Sequence, residues 1–237
     1  LAHHAFAEER LTYFVGREGI LKEINTYLQS GERQVLAVLG EGGTGKSALM
    51  AKAAERAQKA YSNAQLVYRF IGAAPGSSDG RSLLEGLCKE ISRCYGVTES
   101  DVPLDFRDLV PEFAKRMSLA SAEKPLILFL DSLDQLSAHQ DARRLSWLPA
   151  ELPEHVSLVV SSRKEKDVYQ NLQAKGVVEK ILGGLDEEDG RLLLKQWLAD
   201  IQRDLTAEQP GGSKPSFSAL ASSLRYFGVW SAQTEQA

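Results

Sequence analysis

The stretch QVLAVLGEGGTGKSALM (residues 34–50) decides the fold, because it joins a strand pattern, a glycine-rich loop and a helical pattern. The residues before Gly40 are aliphatic without alternation, which is typical of a strand covered on both faces in a parallel sheet. From Gly40 to Ser47 the loop has the spacing G-x-x-x-x-G-K-[ST]. Glycine lets backbone N–H groups approach a phosphate closely, and a helix N-terminus favours negative charge. The stretch therefore predicts a phosphate-binding loop between a strand and a helix.

The loop also predicts the ligand and its metal. A lysine after the last glycine supplies a cation to the β- and γ-phosphates, and the next hydroxyl supplies an oxygen to Mg²⁺. We expect ATP or ADP, because the guanine-reading N/T-K-x-D signature is absent after residue 162. An accidental glycine-rich turn is disfavoured, since strand and helix patterns flank the loop. The loop residues expected to contact the nucleotide are Gly40, Glu41, Gly42, Gly43, Thr44, Gly45, Lys46, Ser47 and Ala48.

Composition narrows the class of protein. The chain has 237 residues, 43% of them hydrophobic, which is enough for a sizeable core. A formal net charge of -4 gives no general affinity for nucleic acid or anionic membranes, so any anion must be bound locally. No apolar run approaches the ~20 residues of a membrane span, and Cys88 and Cys94 form no disulfide or metal pattern. We therefore expect an intracellular, cytoplasmic protein and, because the chain does not begin with Met, a fragment of a longer one.

Outward from the loop, strand and helix patterns alternate. This alternation predicts an α/β fold of the P-loop type, a three-layer sandwich around a mainly parallel five-stranded sheet. Strands beyond the first are predicted at 64–72, 125–131, 156–162 and 177–182, and helices around 20–28, 46–60, 83–91 and 106–117.

Asp131 follows the buried run LILFL and is the candidate metal-binding acid. A Mg²⁺-nucleotide site needs a carboxylate at the end of a neighbouring strand, and we expect Asp131 and Ser47 to hold the Mg²⁺ shell. A helix-capping role is the alternative for Asp131. Hydrolysis also needs an oriented water, and Ser132 in the next position cannot act as a base. Asp134 could reach that water or cap a helix, and both interpretations stay open.

Arg163 directly follows the strand pattern VSLVVSS (156–162). Ligands bind at the carboxyl ends of parallel strands, so Arg163 is a candidate sensor of the γ-phosphate. A solvated surface arginine is the alternative.

The pattern changes after residue 183. A single amphipathic helix is predicted over 185–205, and its inward residues are expected to be Leu192, Leu193, Trp197, Leu198 and Ile201. We divide the chain into an N-terminal linker and helix (1–30), a nucleotide-binding core (31–184), the start of a helical subdomain (185–209) and a linker with an atypical tail expected to be disordered (210–237).

In this order the motifs resemble those of signal-transduction NTPases with numerous domains, the STAND class. Within that class the chain is most similar to the NACHT-type modules of nephrocystin-3-like and other TPR- or WD-repeat proteins. The segments that carry the resemblance are YFVGREGILKEINTYL (13–28), GEGGTGKSALMAKAA (40–54), LILFLDSLDQL (126–136) and VSLVVSSR (156–163), with weaker similarity in VYRFIG (67–72), SLLEGLCKEISRCYG (82–96) and WLPAELPEHV (147–156).

The resemblance implies further roles for residues of this chain. Val15, Gly16 and Arg17 match a segment that packs near the adenine, so their backbone would read the base. Asp131 and Asp134 match a D-G-L-D-E pattern whose second Asp is associated with water activation, and Arg163 matches the first sensor. Two positions depart from that pattern, Ser132 in place of Gly and Gln135 in place of Glu, and these departures would affect turnover more than binding. With the loop lysine, the candidate catalytic residues are Lys46, Asp131, Asp134 and Arg163.

Three functions compete at this point. The resemblance implies a switch in which slow ATP hydrolysis sets the arrangement of helical domains, with protein partners or self-association through flanking domains. A scaffold that binds nucleotide without significant hydrolysis is the alternative, because of Ser132 and Gln135 and because no winged-helix lid pattern follows residue 209. A kinase using the same loop is disfavoured, since the sequence shows no arginine-rich lid.

Overall fold

The structure is a computed structural model and describes residues 2–74, 76–164 and 167–208. The last residue of the predicted helical subdomain and the whole predicted tail, 210–237, lie outside the described residues. No helix in the described ranges is long and apolar enough to cross a membrane.

Five parallel strands form one sheet, which confirms the predicted fold class. The strand order is β2-β3-β4-β1-β5. The strands are β1 (Leu36–Leu39), β2 (Gln65–Phe70), β3 (Leu126–Asp131), β4 (Val156–Ser162) and β5 (Val178–Ile181). Because all strands run in one direction, the loops that follow β1, β3 and β4 meet at one edge of the sheet.

Helices cover both faces of the sheet. They are α1 (Ala2–Leu11), α2 (Glu18–Ser30), α3 (Lys46–Ala60), α4 (Gly80–Tyr95), α5 (Phe106–Met117), α6 (Asp167–Ala174) and α7 (Glu187–Glu208). Alternate residues of β1 face opposite sides: Ala37 and Leu39 pack with α4 and α5, whereas Leu36 and Val38 pack with α2 and α3. This two-sided burial is why the strand sequence has no alternation of apolar and polar residues.

Two helices were not expected from the sequence. α1 packs against α3 and β2, where its Phe6 ring lies 5.0 Å from that of Phe70. α6 is short and places Val168 and Leu172 in the core. Each presents few apolar residues, so tertiary packing rather than local pattern fixes it.

The helix predicted near the C-terminal end is present, but one predicted inward residue was wrong. Leu193 on α7 is buried and Trp197 is half-buried, whereas Leu192 is 45% exposed; the side chains of Leu198 and Ile201 lie outside the described part of the structure. Adjacent positions on a helix are about 100° apart, so Leu192 and Leu193 could not share a narrow buried face.

Candidate functional site

The glycine-rich loop lies directly after β1 and ends in α3. Gly43 and Gly45 have φ angles of 82° and 87°, which are readily accessible only to glycine. At Gly40 a Cβ atom would lie 2.6 Å from the Leu182 carbonyl oxygen, so the loop and the chain after β5 can approach only because that side chain is absent. The N-terminus of α3, with its unpaired N–H groups, opens directly onto the loop.

Lys46 is buried at the start of α3. Its Nζ donates hydrogen bonds to the carbonyl oxygens of Gly40 at 2.7 Å and Glu41 at 2.8 Å. Burial lowers the pKa of Lys46, and the nearby carboxylates of Asp134 and Asp131 oppose that shift. The ammonium is therefore held within the loop, at the position where it would face a bound phosphate.

Asp131 is the last residue of β3 and is 2% exposed. Its carboxylate is surrounded by hydroxyl groups that donate hydrogen bonds to it. Ser47 donates to its Oδ2 at 2.6 Å, Ser161 donates to its Oδ1 at 2.5 Å, and Ser132 donates to Oδ2 at 3.1 Å. Burial raises the pKa of Asp131, while these three hydrogen bonds favour its charged form. The helix-capping alternative does not describe this carboxylate, whose hydrogen-bond donors are hydroxyl groups.

The oxygen atoms of Ser47 and Asp131 fit a magnesium ion. Mg²⁺ prefers hard oxygen ligands and retains several waters, so one hydroxyl and one carboxylate beside a phosphate site are a sufficient protein contribution. The buried carboxylate already adjoins the Ser47 hydroxyl, and a cation would offset the cost of burying its charge.

One expectation about the sheet was wrong. The acid was expected on the strand next to β1, but β4 lies between β1 and β3. The gap is closed by Ser161 of β4, which is fully buried and also accepts a hydrogen bond from the Ser132 N–H at 2.8 Å. Ser161 was not predicted as a site residue, because a serine within a buried strand carries no local signature.

Ser132 has φ 62°, a left-handed conformation that costs most residues roughly 1–2 kcal/mol. This is the position at which the resembled D-G-L-D-E pattern has glycine. The Ser132 hydroxyl bonds to Asp131 and its N–H bonds to Ser161, so local hydrogen bonds offset the unfavourable backbone angle.

Asp134 and Arg163 form a pair across the ends of β3 and β4. Asp134 Oδ1 accepts a hydrogen bond from the Arg163 backbone N–H at 3.3 Å, and its Oδ2 lies 3.3 Å from Arg163 Nε. The Asp134 side chain is 5% exposed and that of Arg163 47%. Both oxygens of Asp134 thus face Arg163 rather than the N–H groups of a helix. The Arg163 side chain is partly exposed to solvent, which agrees with the alternative of a surface arginine, but it is also paired with Asp134.

Gln135 lies on the same turn as Asp134 and faces the chain after β2. A Cβ atom at Gly72 would lie 1.8 Å from Gln135 Oε1, and Gly72 has φ 80°. The amide therefore occupies the space that glycine leaves open at the end of β2.

The segment Val15–Gly16–Arg17 joins the loop to α7. Arg17 donates to the carbonyl oxygens of Thr44 at 3.1 Å and Gly184 at 2.9 Å. Burial lowers the pKa of Arg17, whereas Asp189 and Asp186 raise it. Whether the backbone of this segment reads a base stays a prediction, but its arginine side chain contacts the phosphate loop.

These parts surround one cavity of about 640 Å³. Most predicted site residues line it, namely Val15, Arg17, Gly42, Gly43, Thr44, Gly45, Lys46, Ser47, Ala48, Asp134 and Arg163. Four others do not: Gly16, Gly40 and Glu41 shape the backbone around the cavity, and Asp131 lies behind Ser47. Lining residues that were not predicted as site residues are Glu9, Arg10, Thr12, Tyr13, Phe14, Ser132, Gln135, Leu185, Leu193 and Trp197.

The unpredicted residues come mainly from two segments, the end of α1 with the residues after it, and α7 with its preceding turn. They add most of the aromatic and aliphatic lining, including Tyr13, Phe14 and Trp197. The aromatic pair before Val15 was a usable signal in the sequence, but only the packing of α1 and α7 shows that both segments face the same space.

Comparison with known proteins gives a family match. The family described as "AAA ATPase domain" matches residues 13–161. The human NACHT and WD repeat domain-containing protein 2 is 28% identical over 234 residues, 88% of this chain and 13% of the relative. The human NACHT domain- and WD repeat-containing protein 1 is 31% identical over 172 residues, 68% of this chain and 11% of the relative. The chain thus spans only a small part of these homologues.

Solved structures share the fold. The ORC1 protein of Aeropyrum pernix, solved in complex with DNA, has a TM-score of 0.52 and 19% identity, covering 92% of this chain and 58% of the other. A STAND protein with a tetratricopeptide repeat sensor from Pyrococcus horikoshii has a TM-score of 0.50 and 18% identity, covering 90% and 32%. At these identities the likeness concerns the fold alone.

Proposed function

Because the chain belongs to the AAA ATPase domain family, we propose that it binds Mg·ATP and ADP and acts as a nucleotide-dependent signalling or assembly switch in a larger protein. The observation that carries the proposal is the convergence of Lys46, Ser47 and Arg163 on one 640 Å³ cavity, with Asp131 directly behind Ser47. A cavity of this size lies within the usual range for small-molecule and cofactor sites.

Each polar residue has a role that its surroundings support. Lys46 is held at the loop and would pair with the β- and γ-phosphates. Ser47 and Asp131 would hold Mg²⁺, which neutralises phosphate charge when bound. Arg163 at the end of β4 would contact the γ-phosphate, because its side chain lines the cavity beside Gly42.

The switch would act through α7. Its Leu193 and Trp197 line the cavity, and the turn before it is bound by Arg17, which also bonds the phosphate loop. A nucleotide that contacts both the loop and α7 would therefore favour one position of this helix over others. Because α7 is the part of the chain that would change position, we place the boundary between the nucleotide-binding core and the helical subdomain at residue 184, in the turn before this helix. The effector domains and protein partners would then be coupled to the C-terminal end of α7. We infer no nucleic-acid partner for this module.

A second candidate function is a nucleotide-binding scaffold without significant hydrolysis. It is favoured by Ser132 and Gln135, which stand where a glycine and a glutamate are found in the resembled pattern, and by the occupation of both Asp134 oxygens. Single-turnover measurement with bound Mg·ATP separates the two. Phosphate release above background supports the switch driven by hydrolysis, and its absence with ATP still bound supports the scaffold.

The site itself is tested by Lys46→Ala. We expect ATP and ADP affinity to fall by at least an order of magnitude, since a buried charge-assisted contact contributes about 1.5–3 kcal/mol. Isothermal titration calorimetry in Mg²⁺ measures the loss. The matched control is Lys59→Ala on the same helix, because its exposed ammonium pairs with Glu55 and lies outside the cavity lining; this change should leave affinity unchanged. Unaltered affinity in a folded Lys46→Ala protein would refute the proposed site.

A further inference from the structure

We propose that Asp134 tethers the Arg163 guanidinium, and that the γ-phosphate of ATP must draw Arg163 off this tether, so that Asp134 limits the preference of the site for ATP over ADP. The inference rests on the proposed function, because it assigns a positioning residue within the same nucleotide site.

The two partners differ in freedom. The Asp134 side chain is 5% exposed and accepts a hydrogen bond from the Arg163 backbone N–H at 3.3 Å, so its carboxylate is held at the residue that follows β4. The Arg163 side chain is 47% exposed, and its Nε lies 3.3 Å from Asp134 Oδ2. The guanidinium can therefore leave the carboxylate while the backbone hydrogen bond remains.

The guanidinium already lies beside the phosphate loop. A Cβ atom placed on Gly42 would be 3.6 Å from Arg163 Cζ, and both residues line the cavity. Rotation of one side chain would thus be sufficient to exchange Asp134 for a phosphate oxygen. A phosphate is also the stronger partner, since it carries more charge and accepts bidentate arginine hydrogen bonds.

Asp134 opposes the terminal phosphate in a second way. Its carboxylate also acts on Lys46, where it is the largest charge that raises the lysine pKa. The negative charge of Asp134 therefore acts on both Lys46 and Arg163, the two cations expected to contact the γ-phosphate. ADP lacks this phosphate, so both the tether and the charge repulsion bear mainly on ATP.

The exchange has a consequence for turnover. When the guanidinium leaves, Oδ2 of Asp134 loses its side-chain partner, while Oδ1 keeps the backbone N–H. An oxygen is then open to accept a hydrogen bond from a water in the cavity. Sensing of the γ-phosphate and orientation of water would follow from one movement.

The test is Asp134→Asn, which keeps an oxygen for the Arg163 N–H and removes the charge. Affinities for ADP and for a non-hydrolysable ATP analogue are measured by calorimetry in Mg²⁺. We expect the ratio of the two affinities to shift about two- to fivefold towards the ATP analogue, the range of a partly exposed ion pair. Asp141→Asn is the control, because it removes an equal charge from an exposed side chain outside the cavity lining.

A double variant separates the tether from charge repulsion alone. In an Arg163→Gln background, Asp134→Asn should shift the ratio less than in the unmodified chain. An unchanged ratio in Asp134→Asn, or equal shifts in both backgrounds, would overturn the tether. If the unmodified chain binds neither nucleotide, the proposed function fails instead, and the two failures remain distinct.

A second measurement needs no change at Asp134, in case that variant does not fold. The Nε–Hε resonance of Arg163 can be followed by NMR in the whole chain and assigned by its loss in Arg163→Gln. We expect it to move on addition of the ATP analogue and to remain near its starting position with ADP. Equal movement with both nucleotides, or no movement with either bound, would contradict the exchange.

Discussion

At the scale of single residues, Ser161 connects two parts of the site. Its hydroxyl donates to Asp131 Oδ1 at 2.5 Å and accepts the Ser132 N–H at 2.8 Å. One side chain on β4 thus orients the carboxylate expected to serve Mg²⁺ and also stabilises the left-handed backbone at Ser132. Such outer contacts orient the groups that bind a metal directly.

We predict that Ser161→Ala weakens Mg²⁺ support of nucleotide binding by about 10- to 100-fold, the usual effect of losing an outer contact to a metal ligand. The variant also leaves the buried Ser132 N–H without its acceptor, which costs roughly 1–3 kcal/mol of stability. The measurement is a Mg²⁺ titration of nucleotide affinity, with a parallel titration in EDTA. Affinity in EDTA should change little, because Lys46 and the loop are untouched.

Ser162→Ala provides the matched control for that prediction. Ser162 is equally buried and adjacent in β4, but its hydroxyl donates at 3.2 Å to the Arg163 carbonyl oxygen instead of to Asp131. Equal Mg²⁺ defects in both variants would mean that general damage to β4, and not the Asp131 contact, is responsible.

The contrast between Lys46 and Ser161 shows what the sequence could predict at this scale. The loop motif is local: strand, glycines, lysine and hydroxyl follow one another, so their meeting needs no knowledge of topology. Ser161 contacts Asp131 only because β4 lies between β1 and β3. Strand order is a non-local property, and one sequence does not encode it in any short pattern. The roles of both residues still await the variants described above.

At the scale of elements, the start of α7 packs against the segment that precedes α2. Gly16 has φ 62°, and a Cβ atom there would lie 1.7 Å from Asp189 Oδ2. The neighbouring Arg17 bonds both Gly184 and Thr44. The position of α7 against the phosphate loop therefore depends on a glycine and an arginine that are distant from it in sequence.

We predict that Gly16→Ala displaces the start of α7 and destabilises the protein by at least about 1–2 kcal/mol, the cost of a left-handed alanine alone. Nucleotide affinity should fall as well, because α7 lines the cavity. Hydrogen exchange over the first turns of α7 should accelerate in the variant. Faster exchange confined to α2, with α7 unchanged, would contradict the contact as the cause.

Gly19→Ala is the control for this change. Gly19 lies one turn further along, within α2, and among the described residues no atom beyond its chain neighbours and the adjacent helix backbone lies within 4 Å of the Cβ position. Alanine there should leave both nucleotide affinity and hydrogen exchange of α7 unchanged, since Gly19 lies in the first turn of α2 and away from the cavity lining.

The helices could be predicted from the sequence less completely than the strands. The strands were predicted within about two residues at each end, because buried β-branched and aliphatic runs are a strong local signal. α1 and α6 were missed, and Leu192 was assigned to the wrong face of α7. Short helices acquire much of their stability from the surface on which they pack, and that surface is assembled from distant segments.

At the scale of the whole molecule, the cavity is lined by five separated segments of the chain. Arg163, Asp134 and the loop supply the charged groups expected to lie near the terminal phosphate, while the residues around Tyr13 and those of α7 supply much of the apolar lining. We infer that the charged part distinguishes nucleotides by their terminal phosphate. The apolar part would contribute binding energy that ATP and ADP share, because their adenosine is identical.

This division leads to a prediction for Trp197. Its side chain lines the cavity from α7, and loss of an aromatic stacking surface for a base costs about 1–3 kcal/mol. Trp197→Ala should therefore weaken ATP and ADP by similar factors, about 5- to 100-fold, and leave their ratio unchanged. Leu192→Ala on the same helix is the control, because Leu192 is exposed and is absent from the cavity lining. Calorimetry with both nucleotides gives the answer: a ratio that changes in Trp197→Ala would mean that Trp197 itself transmits the presence of the terminal phosphate to α7. An unchanged ratio would leave that coupling to Arg17, which bonds both the loop and the turn before α7.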